Sequence, residues 1–144
     1  MVTESATIDE SMGANHYVLI VEDDPAIREL LSSIVSIELG LLVRTAGSGP
    51  EALDVVAQSA EAPALAMLDM ELPGLDGESL AGAIREATGS EVPVLLVSAW
   101  PEHTVSAAAA RIGSASYVSK PFEIDEVSAA IHRSLKIEPH QTPP

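Results

Sequence analysis

Residues 17 to 27 read Tyr17-Val18-Leu19-Ile20-Val21-Glu22-Asp23-Asp24-Pro25-Ala26-Ile27, an apolar, partly β-branched run that breaks abruptly into three acids and a proline. A short run that is apolar at every position suits a strand buried on both faces, as in a parallel sheet, with the acids at its exposed carboxyl end. Asp24 followed by Pro25 reads as an N-cap and first helical residue. Ile27, Leu30, Leu31, Ile34 and Val35 follow at helical spacing, which predicts a helix ending near Gly40.

The same pattern recurs outward from this stretch. Leu41 to Ala46 is strand-like, and Ser48-Gly49-Pro50-Glu51 matches a capping box opening a helix through Leu53, Val55 and Val56. Ala64 to Leu68 forms a third run that ends in Asp69. The turn-forming pairs Pro73-Gly74 and Asp76-Gly77 then precede a helix carrying Leu80, Ala81 and Ile84. Val92 to Val97 ends at Ser98, and an alanine-rich helix is expected around Ala107 to Ala110. Ala115 to Val118 is a fifth, shorter strand closed by Ser119-Lys120-Pro121. Ile124, Val127, Ile131 and Leu135 mark the apolar stripe of a last helix.

Five strand-helix alternations predict an α/β domain, a five-stranded parallel sheet with helices on both faces, because right-handed crossovers place them there. Ligands of such sheets bind outside the strands' carboxyl ends. Glu22, Asp23, Asp69, Ser98 and Lys120 all fall at such ends, so residues far apart in sequence should meet in one crevice.

The 144 residues suit one domain, expected over 15 to 137, with a disordered leader at 1 to 14 and a flexible tail at 138 to 144. A formal net charge of −15, from 22 acidic against 7 basic residues, opposes phosphate backbones and anionic lipid surfaces and argues against nucleic acid or membrane as partner. With no cysteine in the chain, disulfides, thiolate metal sites and cysteine nucleophiles are excluded. The four histidines lack metal-ligand spacing and a serine-aspartate pattern of the hydrolytic kind. The leader lacks a basic n-region and an apolar core, so no signal peptide is expected and the cytoplasm is the expected location.

Carboxylates gathered in one crevice repel one another, and a hard divalent cation resolves the conflict. An oxygen-only cluster without sulfur or paired imidazoles favours Mg²⁺. A carboxylate can also act as a nucleophile toward phosphorus, a reaction that needs in-line positioning and positive charge on the transferring oxygens. Lys120 and the metal offer that charge. The Ser98 hydroxyl and the amides after Asp69 offer hydrogen bonds to phosphoryl oxygens.

Four segments carry a resemblance. Val21-Glu22-Asp23-Asp24-Pro25, Leu68-Asp69-Met70-Glu71-Leu72-Pro73-Gly74-Leu75-Asp76-Gly77, Val97-Ser98-Ala99 and Tyr117-Val118-Ser119-Lys120-Pro121-Phe122 together resemble the signature set of response-regulator receiver domains, across roughly residues 16 to 136. The resemblance implies a flavodoxin-like (βα)5 fold with strand order 2-1-3-4-5. It implies Asp69 as phosphoacceptor, Glu22 and Asp23 as the acidic pair and the Glu71 carbonyl completing the Mg²⁺ shell. Lys120 would hold the phosphoryl group, and the Lys120-Pro121 peptide would be cis. Ser98 would be the switch hydroxyl and Tyr117 the aromatic that turns inward with it, remodelling a face made by helix 4, strand 5 and helix 5. The family varies at the positions two beyond the acceptor and two beyond the switch hydroxyl, which tune the lifetime of the aspartyl phosphate. Here these are Glu71, whose carboxylate would compete with Asp69 for Lys120, and Trp100, which would shield the site from water.

Plainer readings stand beside each of these. Asp24 serves as a cap, Lys120 could be a surface lysine before a turn proline, and Ser98 could cap helix 4. Tyr117 could be a packed residue with its hydroxyl at the surface, and Trp100 could merely cover a loop. The resemblance implies a single-domain response regulator that receives phosphate from a histidine kinase or phosphotransfer protein and is not a turnover enzyme. Its output would pass to a protein target, with dimerisation on phosphorylation left open. Three alternatives remain: a receiver-like scaffold independent of phosphorylation, a fragment of a larger regulator, and an aspartate-nucleophile phosphohydrolase similar to the haloacid dehalogenase family. Asp69-Met70-Glu71 faintly echoes the motif of that last family.

Overall fold

The computed structural model describes residues 16–135. The expected leader and tail lie outside the described residues. Five strands, β1 (Val18–Val21), β2 (Val43–Ala46), β3 (Leu65–Leu68), β4 (Val94–Ser98) and β5 (Ala115–Ser119), alternate with five helices. The helices are α1 (Pro25–Ser33), α2 (Gly49–Ala57), α3 (Gly77–Thr88), α4 (Glu102–Ile112) and α5 (Ile124–Leu135). All strand pairs are parallel in the order β2-β1-β3-β4-β5, so the expected fold class and strand order both hold.

Strand period and helix placement explain one another. Leu19, Val21, Ala66, Leu68, Val94 and Leu96 point into one core cluster with Ala52 and Val56 of α2, Leu80 and Ile84 of α3 and Val105 and Ala108 of α4. The alternate residues Val18, Ile20, Leu65, Met67, Leu95 and Val97 point into a second cluster with Leu31 of α1 and Val127 and Ile131 of α5. The three central strands are therefore apolar at successive positions because each has two buried faces. The outer strands are only partly covered: Arg44 and Thr45 of β2 are exposed, and Val118 is the one buried residue of β5.

Asp24 caps α1 as expected, its Oδ1 accepting from the amides of Ala26 at 2.9 Å and Ile27 at 3.4 Å. Ser48 Oγ accepts from the Glu51 amide at 3.2 Å, but the Glu51 carboxylate reaches past the cap to the Gly47 amide at 2.9 Å, a shifted form of the reciprocal box. The regular part of α1 stops at Ser33. A π-helical turn, Ile34–Glu38, carries the chain to Gly40, whose φ of 68° lies in the left-handed region. Leu41 closes that end, its amide donating to the Val35 carbonyl at 3.2 Å. The strand therefore begins two residues later than the apolar run, and Leu42 is left 56% exposed. Val92 is buried ahead of β4 in the same way, before Pro93.

Gly77 brings α3 onto the end of β3. A Cβ there would lie 2.5 Å from the Asp69 carbonyl oxygen, and the Gly77 amide donates to the Met70 carbonyl at 3.1 Å. Asp76, read from sequence as part of a turn, caps the helix by accepting from the Ser79 amide at 2.8 Å.

Candidate functional site

The carboxyl ends of β1, β3, β4 and β5 meet as the topology requires. Val21 is level with Leu68, and Ser98 with Ser119, so Glu22 and Asp69 leave adjacent strands while Lys120 leaves the same edge of the sheet one strand beyond β4. One carboxylate oxygen from each of Glu22, Asp23 and Asp69 lies within 4.8 Å of the others. Glu22 is 1% exposed and Asp69 6%, whereas Asp23 faces solvent. The cluster is thus acidic, with two carboxylates buried and the third at the surface.

Lys120 answers this charge. Its Nζ lies 2.9 Å from Asp69 Oδ2 and 2.9 Å from Glu22 Oε1. The Asp69 contact is an aligned hydrogen bond, while the Glu22 contact is an ion pair off the hydrogen-bond axis, so Glu22 Oε1 is buried with no aligned donor. The second oxygens are held by backbone. Glu22 Oε2 accepts from the Asp24 amide at 3.2 Å, and Asp69 Oδ1 accepts from the Glu71 amide at 3.0 Å.

Protonation follows this arrangement. Burial pushes the Glu22 carboxyl above the usual glutamate range; the contact with Lys120 opposes the shift and the Asp69 charge adds to it. Burial also works against the Lys120 ammonium, but its contacts with the Asp69 and Glu22 carboxylates outweigh that and hold it above the usual lysine range. One lysine does not neutralise three acids. An oxygen-only set of three carboxylates within 4.8 Å, with a buried Glu22 oxygen that no aligned hydrogen bond satisfies, fits a hard divalent cation.

A family model described as "Response regulator receiver domain" matches residues 18–132. The chain belongs to the response-regulator receiver family. It is similar to sporulation initiation phosphotransferase F of Bacillus subtilis, 32% identical over 86% of this chain and 97% of that one. It is also similar to the response regulator MprA of Mycolicibacterium vanbaalenii, 34% identical over 83% of this chain but 50% of that one, so it spans about half of that relative. Among solved structures, the receiver domain of NtrX from Brucella abortus superposes with a TM-score of 0.73 at 32% identity, covering 84% of this chain and 99% of that one.

Within this receiver domain the remaining sequence candidates are placed as follows. Ser98 is 1% exposed and does not cap α4, whose N-cap is Pro101; its Oγ accepts from the Trp100 amide at 3.0 Å. Tyr117 points outward, its hydroxyl donating to Glu102 Oε2 at 2.9 Å. The Lys120–Pro121 peptide is cis. The Glu71 carboxylate is not turned to Lys120: its Oε1 accepts from the Trp100 indole Nε1 at 3.3 Å. Competition for the lysine is therefore replaced by a bond between the two residues flagged as departures.

Sequence reasoning missed two residues. Arg28 donates from Nη1 to the Glu22 carbonyl at 2.8 Å and so fixes the turn bearing the acidic pair. Glu102 holds Tyr117 outward. No side-chain pattern signals the first, because its partner is a backbone carbonyl. Nothing in the local pattern ties Glu102 to a tyrosine fifteen positions away.

Proposed function

We propose that this chain accepts a phosphoryl group on Asp69 from a histidine kinase or a histidine phosphotransfer protein, in a Mg²⁺-dependent reaction, and signals by altered protein contacts. The observation that carries the reading is Asp69 itself, a nearly buried carboxylate at a strand end, bonded to Lys120 and flanked by Glu22 and Asp23. In the transfer an Asp69 oxygen forms the O–P bond as the donor's P–N bond breaks, and the departing imidazole keeps the electron pair and takes a proton. Lys120 stays paired with the negative charge throughout. The Ser98 hydroxyl and the amides after Asp69 donate to the phosphoryl oxygens.

Glu22, Asp23, Asp69 and the Glu71 carbonyl would hold Mg²⁺. The bound ion supplies positive charge against the transferring phosphoryl oxygens. The acceptor domain spans residues 15 to 137, with output through the α4-β5-α5 face that bears Tyr117. It acts as an acceptor, without sustained turnover. Among the described residues no helix is long and apolar enough to cross a membrane; a cytoplasmic setting accords with a kinase as donor.

The test is intact mass after incubation with acetyl phosphate, with and without Mg²⁺, beside an Asp69→Ala control. A single Mg²⁺-dependent phosphoryl adduct, absent from the control, is expected. No adduct where another receiver is labelled would turn the reading to a phosphate-independent scaffold, and repeated hydrolysis of small phosphoesters would turn it to a phosphohydrolase.

A further inference from the structure

A continuous chain of contacts runs over the phosphoacceptor and joins two loops that share no backbone. The Glu71 amide donates to Asp69 Oδ1 at 3.0 Å, the Trp100 indole donates to Glu71 Oε1 at 3.3 Å, and the Trp100 amide donates to Ser98 Oγ at 3.0 Å. The indole is half-buried and packs on the core cluster that includes Met70, Leu96 and Val105, so the bridge runs from a packed residue at the end of β4 to the exposed Glu71. The Ser98 hydroxyl oxygen accepts from the residue that Glu71 tethers, which holds the side chain in its present orientation while its O–H stays free to donate.

We propose that the Glu71–Trp100 bridge is a latch that holds the turn between β4 and α4 in its resting arrangement and slows phosphoryl uptake at Asp69. This rests on Asp69 being the phosphoacceptor. Reorienting Ser98 toward an arriving phosphoryl group moves the turn that begins with Ala99 and Trp100, and the bridge favours the arrangement that must be left. The aspartyl phosphate carries up to two negative charges where the Asp69 carboxylate carried one, two residues from the Glu71 carboxylate, and so works to release the latch once it is in place. A contact made only in the resting state lowers the population competent for transfer by its own weight.

The experiment is a time course of adduct formation by intact mass on the full chain, with acetyl phosphate and Mg²⁺. Five proteins are compared: the parent, Glu71→Ala, Glu71→Gln, Trp100→Phe and the Glu71→Ala/Trp100→Phe pair. Trp100→Phe keeps the ring and the Glu71 charge but removes the N–H; Glu71→Gln removes the charge but keeps an acceptor. Glu71→Ala and Trp100→Phe should each speed uptake roughly two- to tenfold, the weight of one exposed hydrogen bond. Glu71→Gln should stay near the parent, and the pair should be no faster than the quicker single change, as shared membership of one contact requires. Trp100 is the sole tryptophan, so the parent's indole emission on phosphorylation should also move toward that of unphosphorylated Glu71→Ala.

Trp100→Phe at the parent rate, Glu71→Gln as fast as Glu71→Ala, or additive gains in the pair would each overturn the latch in favour of plain charge or cover. No adduct on the parent would overturn the phosphoacceptor reading and the latch with it, whereas equal uptake by all five proteins would overturn the latch alone.

Discussion

Glu22 carries an electrostatic conflict, a buried carboxylate beside Asp69 whose contact with Lys120 does not offset its burial. Its carboxyl is held above the ordinary range, so between the unfolded and folded values the native state binds more protons than the unfolded chain, and stability falls as pH rises through that window. Glu22→Gln keeps the shape and removes the charge. In chelator at neutral pH, this variant is expected to melt higher than the parent, with the gap closing as pH drops below the ordinary glutamate value. A variant that melts lower at neutral pH would show that the ion pair outweighs the burial. Glu22, Asp69 and Lys120 are legible in sequence because each interrupts an apolar run at a strand end. Arg28 is not, because its partner is a backbone carbonyl, which no side-chain chemistry announces.

Elements are legible where one physical cause dominates and blurred where two compete. β1, β3 and β4 stand out because both faces are buried. The Leu41 to Ala46 run overstates β2 because Leu41 closes the π-helical turn and Leu42 only lends its carbonyl to the Val18 amide, at 2.9 Å. The pair Asp76-Gly77 reads as a turn, yet it is a helix start whose glycine is required by close approach. A Cβ at Gly77 would press on the Asp69 carbonyl at 2.5 Å and on the Met70 Cα at 3.0 Å, both backbone atoms that cannot rotate away. Gly77→Ala is therefore expected to cost about 1–3 kcal/mol by overpacking, read by urea denaturation, and to displace the segment carrying the acceptor. Unchanged stability would mean that α3 slides outward freely. Uptake should fall more in this variant than in Gly82→Ala, where the added methyl meets nothing within 4 Å.

At the scale of the whole molecule, the sheet order gathers acids from two strands against one lysine, in a chain whose net charge is already −15. Such a protein is stabilised by any salt through screening, which acts everywhere, and by a bound cation through mass action, which acts at one site. The two are separable. At a Mg²⁺ concentration ten times its Kd, site binding should add about 1.4 kcal/mol, or roughly 4–7 °C in Tm for a domain of this size. NaCl at matched ionic strength should give a smaller rise, and Asp69→Ala should keep the NaCl effect while losing the excess due to Mg²⁺. Removing Mg²⁺ with chelator should return the parent to its salt-matched midpoint. Equal shifts from both salts would mean that the three carboxylates share a crevice without holding an ion, and Lys120 alone would then be left to balance the charge of an incoming phosphoryl group.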